Sequence, residues 1–363
     1  MKSPDQATSL CHSCPKLCRY ACPVAETDQN EATTPWGKMS AMKLSENGIL
    51  PFNRETASLA YKCLDCKASE GACELDNPVP ETLFHYRAKA FAAKVAPPSI
   101  LTYAEQFQKF SNPFGIDLQK KMKSLLPREF STPLKKIAYF PGCSEIQHFP
   151  KSTAHALVLL RKCRIDLELF HEPILCCGYP LYAAGDIENF REIAEINIHA
   201  FQKYREVIVG SPTCLQTIDM TYRQLGFRFS TRFYHVLEKI KIPPTSLHPL
   251  PELRTGQRIA YHDPCHLGRA RGIYDPPRQF IKAATGVEPV EFFTNRANSS
   301  CCGAGGLLPI SSPDTARQIT MNRIEEFKRT GASVLVTASP ECACRFKAID
   351  PKIKVMGLLD LLS

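Results

Sequence analysis

Cys176–Cys177–Gly178 recurs later in the chain as Cys301–Cys302–Gly303, and the sequence is organised around this doubled stretch. Adjacent cysteines are rare, and in both places one cysteine precedes the pair and another follows it. The flanking segments are Tyr139-Phe-Pro-Gly-Cys143 and Ser211-Pro-Thr-Cys214 in the first half, and Tyr261-His-Asp-Pro-Cys265 and Ser339-Pro-Glu-Cys342 in the second. The offset between the copies grows from 122 to 128 residues, as short insertions in surface loops would cause. The sequence therefore contains two copies of one cysteine-rich domain.

The cysteine content indicates the chemistry and the compartment. The chain has 363 residues, of which 17 are cysteine. Its N-terminus is polar and lacks the apolar core of a secretory signal, and no run approaches the ~18 apolar residues that cross a membrane. Cysteines in such a chain are expected to ligate metals or to carry redox chemistry rather than to form disulfides. We expect a cytoplasmic protein without a transmembrane segment, which a partner could hold peripherally at the inner membrane.

The net charge of +9 counts every cysteine as neutral. A [4Fe-4S] core held by four thiolates carries a charge of about −2, because metal ligation deprotonates the thiols. Several such sites would bring the charge of the loaded protein close to zero. The basic residues therefore do not predict nucleic-acid binding.

The first cysteine run is Cys11-His-Ser-Cys14-Pro-Lys-Leu-Cys18-Arg-Tyr-Ala-Cys22-Pro23. It is one residue longer than the bacterial cluster motif C-x2-C-x2-C-x3-C-P. Structural zinc sites instead use two separated cysteine pairs, so zinc is the less favoured alternative. This run predicts an iron–sulfur cluster.

The second run begins as Cys63-Leu-Asp-Cys66 and continues to Cys73-Glu-Leu-Asp76-Asn77-Pro78. Read backwards from Pro78, it places Asn77 where the fourth cysteine of a ferredoxin motif would stand. The fourth cysteine of each run ligates the other cluster in two-cluster ferredoxins, so we expect Cys22 to join Cys63, Cys66 and Cys73. Cys11, Cys14 and Cys18 would then lack a fourth thiolate. Asp76 is the candidate oxygen ligand there, or the site holds a [3Fe-4S] cluster; alternatively Asn77 only caps a turn and one cluster is present.

The first cysteine-pair copy predicts the element order β-Cys-α-β-CC-α-β-Cys. In the first copy, strands are expected at 136–140, 165–170 and 207–210, with helices at 154–163 and after Asp186. In the second, strands are expected at 258–261 and 334–336, with helices at 276–284 and 313–329. Crossover helices imply parallel strands, and ligands bind beyond the carboxyl ends of parallel strands. This topology would bring the distant thiolates of each copy together.

These residues carry a family resemblance over nearly the whole chain. The paired Cys-Cys-Gly motifs, the segment His262-Asp-Pro-Cys265-His-Leu-Gly-Arg269 and the segment Cys301-Cys-Gly-Ala-Gly-Gly306 resemble the cysteine-rich (CCG) domains of heterodisulfide reductase subunits. The iron–sulfur subunits of glycolate oxidase and anaerobic glycerol-3-phosphate dehydrogenase contain similar domains. The resemblance implies electron transfer through iron–sulfur clusters between a flavoprotein and a quinone or thiol acceptor.

Both copies also depart from the family's cysteine motif. The family motif C…CC…C-x2-C supplies five thiolates, which can hold a non-cubane [4Fe-4S] cluster. In the first copy Thr217 stands in the fifth place, which leaves Cys143, Cys176, Cys177 and Cys214. In the second copy Arg345 stands there, although Cys344 offers a fifth thiol one position earlier. The second set is therefore expected to be Cys265, Cys301, Cys302, Cys342 and Cys344.

We accordingly expect an α/β protein with a mostly helical ferredoxin-like domain at 1–104 and a linker at 105–134. Two duplicated α/β CCG domains with small parallel sheets follow at 135–242 and 252–363. The predicted cofactors are [4Fe-4S] clusters: two in the first domain, one of them [3Fe-4S] or with a non-cysteine ligand, one in the second CCG domain, and in the first CCG domain either another or none.

The expected function is that of an electron-transfer subunit. Its predicted partners are a flavoprotein dehydrogenase or electron-transfer flavoprotein subunit and a membrane partner that reduces quinone. The alternative is a catalytic chain that reduces a disulfide or oxidises a quinol at the second CCG site, with Cys344 as the candidate catalytic residue. A zinc-bound interaction protein is a third possibility.

Overall fold

The architecture is that of a computed structural model, which describes residues 2–12, 14–125, 136–171, 176–241, 253 and 257–362. The fold is 56% helical with two small parallel sheets. The prediction of an α/β fold with two similar repeats is thereby confirmed. None of the helices in these ranges is long and apolar enough to cross a membrane.

The N-terminal part is helical. Its helices are α1 (Pro4–His12), α2 (Pro23–Asp28), α3 (Pro35–Glu46), α4 (Arg54–Tyr61), α5 (Ala68–Gly71), α6 (Val79–Ala92), α7 (Pro98–Phe110) and α8 (Leu118–Leu125), with single 3-10 turns at Leu17–Arg19 and Glu31–Thr33. Helix α3 begins as its sequence predicts. Proline occupies the first helical position, and Thr34 Oγ1 accepts a hydrogen bond of 2.9 Å from the Gly37 amide, which satisfies one of the amides left free at a helix start.

The segment expected to be an exposed linker contains regular structure over its first part. Helix α7 extends to Phe110 and α8 lies within the segment, and both bury apolar side chains in the core, among them Phe107 and Met122. The rest of the predicted linker, and the Pro-rich stretch 243–251, lie outside the described residues.

The two repeats have the same sheet. The first contains β1 (Ile137–Phe140), β2 (Glu168–Leu169), β3 (Glu206–Val209) and β4 (Arg232–His235), in the order β2-β1-β3-β4; the second contains β5 (Ile259–His262), β6 (Val290–Glu291), β7 (Val334–Thr337) and β8 (Lys354–Gly357), in the order β6-β5-β7-β8. All of these pairings are parallel. The central strands are fully buried, as is usual for parallel sheets covered by helices. The fourth strand of each sheet was not expected from the sequence, since β4 and β8 carry few apolar residues.

Helices cover both sheets. In the first repeat they are α9 (Cys143–His148), α10 (Pro150–Lys162), α11 (Tyr179–Ala184), α12 (Ile187–Phe201), α13 (Pro212–Gln216), α14 (Tyr222–Gln224) and α15 (Val236–Lys239), with a π-helical turn at Thr217–Thr221; in the second they are α16 (Asp275–Thr285), α17 (Leu308–Ser311), α18 (Pro313–Arg329) and α19 (Pro340–Ile349), with 3-10 turns at Arg296–Asn298 and Leu358–Leu361. Asp186 caps α12 through its side chain, as predicted.

The fully buried side chain of Arg87 joins the three parts of the chain. In the N-terminal part its guanidinium donates to the carbonyls of Ala60 at 3.0 Å and Cys63 at 2.7 Å. It also donates to Ala183 of the first repeat at 2.9 Å and to Gly306 of the second at 2.8 Å. Four carbonyl partners compensate for the loss of hydration of this cation. The N-terminal cysteine loops are thereby held against both repeats.

Candidate metal centres

The first repeat brings four distant cysteines together beyond the carboxyl ends of its strands. Cys143 follows β1 and Cys214 follows β3, and the sulfur atoms of Cys143 and Cys176 lie 3.6 Å apart. Hydrogen bonds from Cys176 and Cys214 hold the pKa of Cys177 well below its usual value despite burial. Gly142 lies at φ 79°, and a Cβ there would approach the Cys214 sulfur to 2.7 Å, so the turn that presents Cys143 needs glycine.

The surroundings of this first thiol group are aromatic and acidic. Glu145 accepts hydrogen bonds from Tyr139 at 2.8 Å and from Thr153 at 2.7 Å, and burial raises its pKa to about 8. Thr217, at the position of the missing fifth cysteine, donates to the Thr213 carbonyl and also hydrogen-bonds Cys177.

The second repeat assembles Cys265, Cys301, Cys302 and Cys342 in the same way. The sulfur atoms of Cys302 and Cys342 lie 3.0 Å apart, and Cys301 shares hydrogen bonds with Cys265 and Cys302, which raise its pKa together with burial. The four thiols that the sequence predicted by analogy with the first repeat are thus in contact.

The sequence predicted Cys344 as a fifth thiol of this group, and its electrostatic surroundings differ from those of the other four. Burial raises the pKa of Cys344 to about 12, and the charged groups that act on it are Glu341 and Lys347 rather than other thiols. The reason is helical geometry: Cys342 and Cys344 both lie on α19, and two residues along a helix turn the side chain by about 200°.

Arg345, one helical turn beyond Cys342, faces the site instead. Its Nε donates to Thr320 Oγ1 at 3.0 Å, and its charge interacts with Cys302. Arg269 lies on the other side, where its charge interacts with Cys66, Cys265 and Cys301. One terminal nitrogen of each guanidinium, Nη2, is buried without a hydrogen-bond partner among the described residues. Two unpartnered donors beside four thiols fit a negatively charged iron–sulfur cluster, whose sulfur atoms accept hydrogen bonds.

His262 lies close enough to the second thiol group to be considered as a ligand. One of its ring nitrogens lies within 4.8 Å of the sulfur atoms of Cys302 and Cys342. Arg323 donates from Nε to His262 Nδ1 at 3.2 Å, and burial keeps the pKa of the ring far below its usual value. A neutral ring that accepts at Nδ1 carries its proton on Nε2, so His262 is suited to donate to sulfur rather than to ligate iron.

In the N-terminal part, the charges of Cys18, Cys14 and Cys73 act on Cys11, and those of Cys22, Cys14 and Cys73 act on Cys18. The sequence placed Cys73 with Cys22, Cys63 and Cys66, and that ligand set stays a prediction. Asp76, the candidate oxygen ligand, is exposed. Asn77, in the place assigned to a missing cysteine, is buried and donates from Nδ2 to Cys11 Sγ at 3.0 Å. Burial raises the pKa of Cys11 to about 12, and the Asn77 hydrogen bond opposes this shift.

A second N-terminal group contains Cys22, Cys63 and Cys66, which line one small cavity. The ammonium of Lys38, a side chain only 1% exposed, lies 3.9 Å from Cys22 Sγ and donates to the Lys62 carbonyl at 2.6 Å. A buried ammonium requires an anionic partner, and thiolates or a cluster at this cavity would supply it.

The two N-terminal groups and the second repeat form one continuous series. Cys18 of the first group interacts with Cys22 of the second. Cys66 of the second group is hydrogen-bonded to Cys301, which with burial raises its pKa well above the usual value. The glycines that follow Cys301 and Cys302 make this approach possible, since a Cβ on Gly305 or Gly306 would collide with the backbone of Cys63 and Leu64.

The cysteine-rich (CCG) domain family matches residues 137–219 and 259–347. The two repeats therefore belong to this family. One of the subunits of the fumarate reductase (CoM/CoB) of Methanothermobacter marburgensis is 24% identical over 308 residues, which cover 83% of this chain and 60% of that protein. One of the subunits of the dihydromethanophenazine:CoB–CoM heterodisulfide reductase of Methanosarcina acetivorans is 28% identical over 240 residues, which cover 64% and 58%.

A third relative matches along almost its full length. The probable glycolate oxidase iron–sulfur subunit of Bacillus subtilis is 23% identical over 410 residues, which cover 95% of this chain and 91% of that protein. The chain spans about 60% of the length of the two methanogen relatives. The cysteine-rich domains and these relatives indicate iron–sulfur clusters and a kinship with oxidoreductase subunits.

Proposed function

We propose that this protein is an iron–sulfur electron-transfer subunit of a multi-component oxidoreductase. It passes electrons between a flavoprotein partner and a quinone or another acceptor. The names of the relatives support a place in a larger complex, because three of them are subunits. The clusters supply the one-electron chemistry, and the chain's own residues hold and tune them.

The observation that best supports electron transfer is the continuous series of thiol groups. Electrons that enter at Cys11, Cys14, Cys18 and Cys73 reach the next site by way of Cys18, on which the charge of Cys22 acts. They meet the second CCG site through the contact of Cys66 with Cys301. Arg269 and Arg345, each with one buried guanidinium nitrogen, favour the more negative, reduced state of a cluster at that last site, since they stabilise added negative charge.

The flavin is assigned to a partner. The glycine-rich stretch after Cys301 lacks dinucleotide-binding spacing, and Gly305 and Gly306 pack against the Cys63–Leu64 backbone. This packing leaves no room there for a phosphate.

The test is to measure iron and acid-labile sulfide per chain on protein purified without oxygen. About twelve of each corresponds to clusters in the two N-terminal sites and the second CCG site, and about sixteen adds the first CCG site. A flavoprotein donor should then reduce the clusters in a stopped-flow experiment. Zinc in place of iron, or a colourless protein, would refute the proposal.

The alternative is catalysis at the second CCG site, either reduction of a disulfide or oxidation of a quinol. A cleft of about 630 Å³ supports it, since the cleft is lined by Arg269 and by Ser300, the neighbour of Cys301. Cys344 is the catalytic thiol that the sequence offers for this reaction, and α19 turns it by about 200° from Cys342. Turnover of a small disulfide by the isolated protein, with a chemical electron donor, would favour catalysis over simple transfer.

A further inference from the structure

The second N-terminal site is one thiolate short, and the grouping of Cys73 explains why. Read forwards from Cys63, the second run has the spacing C-x2-C-x2-S-x3-C, with Ser69 third and Cys73 fourth. This is the spacing of the bacterial cluster motif with serine in place of its third cysteine. The fourth cysteine of each run ligates the other cluster, in agreement with the electrostatic interaction of Cys73 with Cys11 and Cys18. Cys22, Cys63 and Cys66 remain for the second site.

Ser69 lies where the absent thiolate would be needed. It lines the same cavity as Cys22, Cys63 and Cys66. The residue is 8% exposed, and its hydroxyl forms no side-chain hydrogen bond within the described part of the chain. The hydroxyl therefore has no protein partner to give up, and it is available to a group bound in the cavity. An iron ion is a suitable partner, because a deprotonated hydroxyl is an anionic oxygen donor.

Positive charge around the cavity favours such an anion. Lys38 lies 3.9 Å from Cys22 Sγ, and the charges of Lys38 and Arg87 both act on Cys63. Cations at this distance stabilise thiolates and an alkoxide alike.

The other candidates for a fourth ligand are engaged elsewhere. Asp65 accepts a hydrogen bond from Tyr179 at 3.2 Å and pairs with His266 at 3.4 Å. Cys301 approaches Cys66 but also bonds Cys265 and Cys302. If Cys301 were given to the N-terminal site, the second CCG site would keep only three thiolates, because Cys344 lies apart.

We infer that Ser69 is the fourth ligand of the Cys22–Cys63–Cys66 site, so that this site binds a four-iron cluster through three thiolates and one serine oxygen. The inference rests on the proposed iron–sulfur function and names the ligands of one site within it. When the cluster binds, the hydroxyl gives up its proton to solvent and its oxygen binds the fourth iron. No electron is exchanged in this step.

The experiment compares Ser69→Ala and Ser69→Cys with the wild-type protein, all purified anaerobically with 57Fe. The wild type is expected to show, by Mössbauer spectroscopy, one iron per chain with the larger isomer shift of an oxygen-bound site. S69A should lose one iron per chain and, once oxidised, should display the EPR signal of a three-iron cluster. S69C should keep the full iron content and lose the distinct Mössbauer site. The matched control is Ser58→Ala, because the Ser58 hydroxyl donates to the Glu55 carbonyl on α4 and does not line the cavity.

The results separate this inference from the function on which it rests. A three-iron EPR signal of equal size in the wild type and S69A would overturn the serine ligand while the clusters remain. Identical spectra of wild type, S69A and S69C would overturn it as well. Absence of iron from every variant and from the wild type would overturn the proposed function itself. If S69A fails to fold, the comparison of S69C with the wild type still tests the ligand through the distinct Mössbauer site.

Discussion

Replacement of Asn77 by leucine should lower the reduction potential of the cluster at Cys11, Cys14, Cys18 and Cys73. The Asn77 amide donates to Cys11 Sγ at 3.0 Å and to the Ala7 carbonyl at 2.8 Å, and the residue is 1% exposed. Leucine has a similar size but removes both donors. A hydrogen bond from a buried donor stabilises a cluster more in the reduced state, which carries one more negative charge.

The magnitude follows from the number of bonds lost to sulfur, which is one. A hydrogen bond to a charged group is worth about 1.5–3 kcal/mol. The added electron is shared over the whole cluster, so only about a quarter of its charge lies near the sulfur atom of Cys11. The loss of this hydrogen bond therefore changes the free energy of reduction by roughly 0.5 kcal/mol. For a one-electron couple, about 1.4 kcal/mol corresponds to 59 mV. The expected decrease is therefore about 20–30 mV.

The assay is an EPR-monitored redox titration that follows each cluster signal separately. One signal should move to lower potential in N77L and the others should stay. The control is Asn112→Leu, because Asn112 is also buried and donates only to the carbonyls of Phe110 and Ile116. An unchanged potential, an increase, or an equal shift in N112L would contradict the role assigned to Asn77.

Three further predictions concern the ligands and the stability of the fold. Cys344→Ala should leave iron content and EPR spectra unchanged, whereas Cys342→Ala should lose the cluster of the second CCG site; iron loss of similar size in both would return Cys344 to the ligand set. Arg87→Met should destabilise the loaded protein by about 3 kcal/mol. Four carbonyls lose their donor at about 1 kcal/mol each, and removal of a buried charge offsets part of this loss. A urea titration that follows cluster absorbance measures the effect, and an unchanged midpoint would show that other contacts join the three parts. Burial acts against ionisation of Glu206, but the hydrogen bond from Lys239 and the charge of Arg232 hold its pKa below the usual value. Because its pKa is lower in the folded state, Glu206 contributes stability above about pH 4.5 that is lost as the pH falls further. Glu206→Gln should therefore lower the free energy of unfolding by about 1 kcal/mol at pH 7 and by less near pH 3. A decrease that does not depend on pH would contradict the ion pairs.

The duplicated architecture could be predicted from the sequence, and so could the cysteines that we propose as cluster ligands in the two repeats. The recurring Cys-Cys-Gly motif and its flanking cysteines revealed two copies of one domain, because a repeat leaves the same residues at the same offsets. Strands that lead directly to Cys143 and Cys214 also predicted that the thiols meet beyond the carboxyl ends of a parallel sheet. These are consequences of local periodicity and of a topology with few alternatives.

The proximity of thiols that are distant in sequence is a property of the folded chain. The second cysteine run fits two registers, and the electrostatic interaction of Cys73 with Cys11 and Cys18 favours the one that places Ser69 at the third position. The register could have been found by counting forwards from Cys63, but nothing in the chain ranked that count above the one from Pro78. The hydrogen bond between Cys66 and Cys301 joins residues that are far apart in sequence. The same is true of the site at which the guanidinium nitrogens of Arg269 and Arg345 are buried without partners among the described residues. Such contacts arise from the packing of whole domains against one another, and local sequence patterns carry no information about that packing.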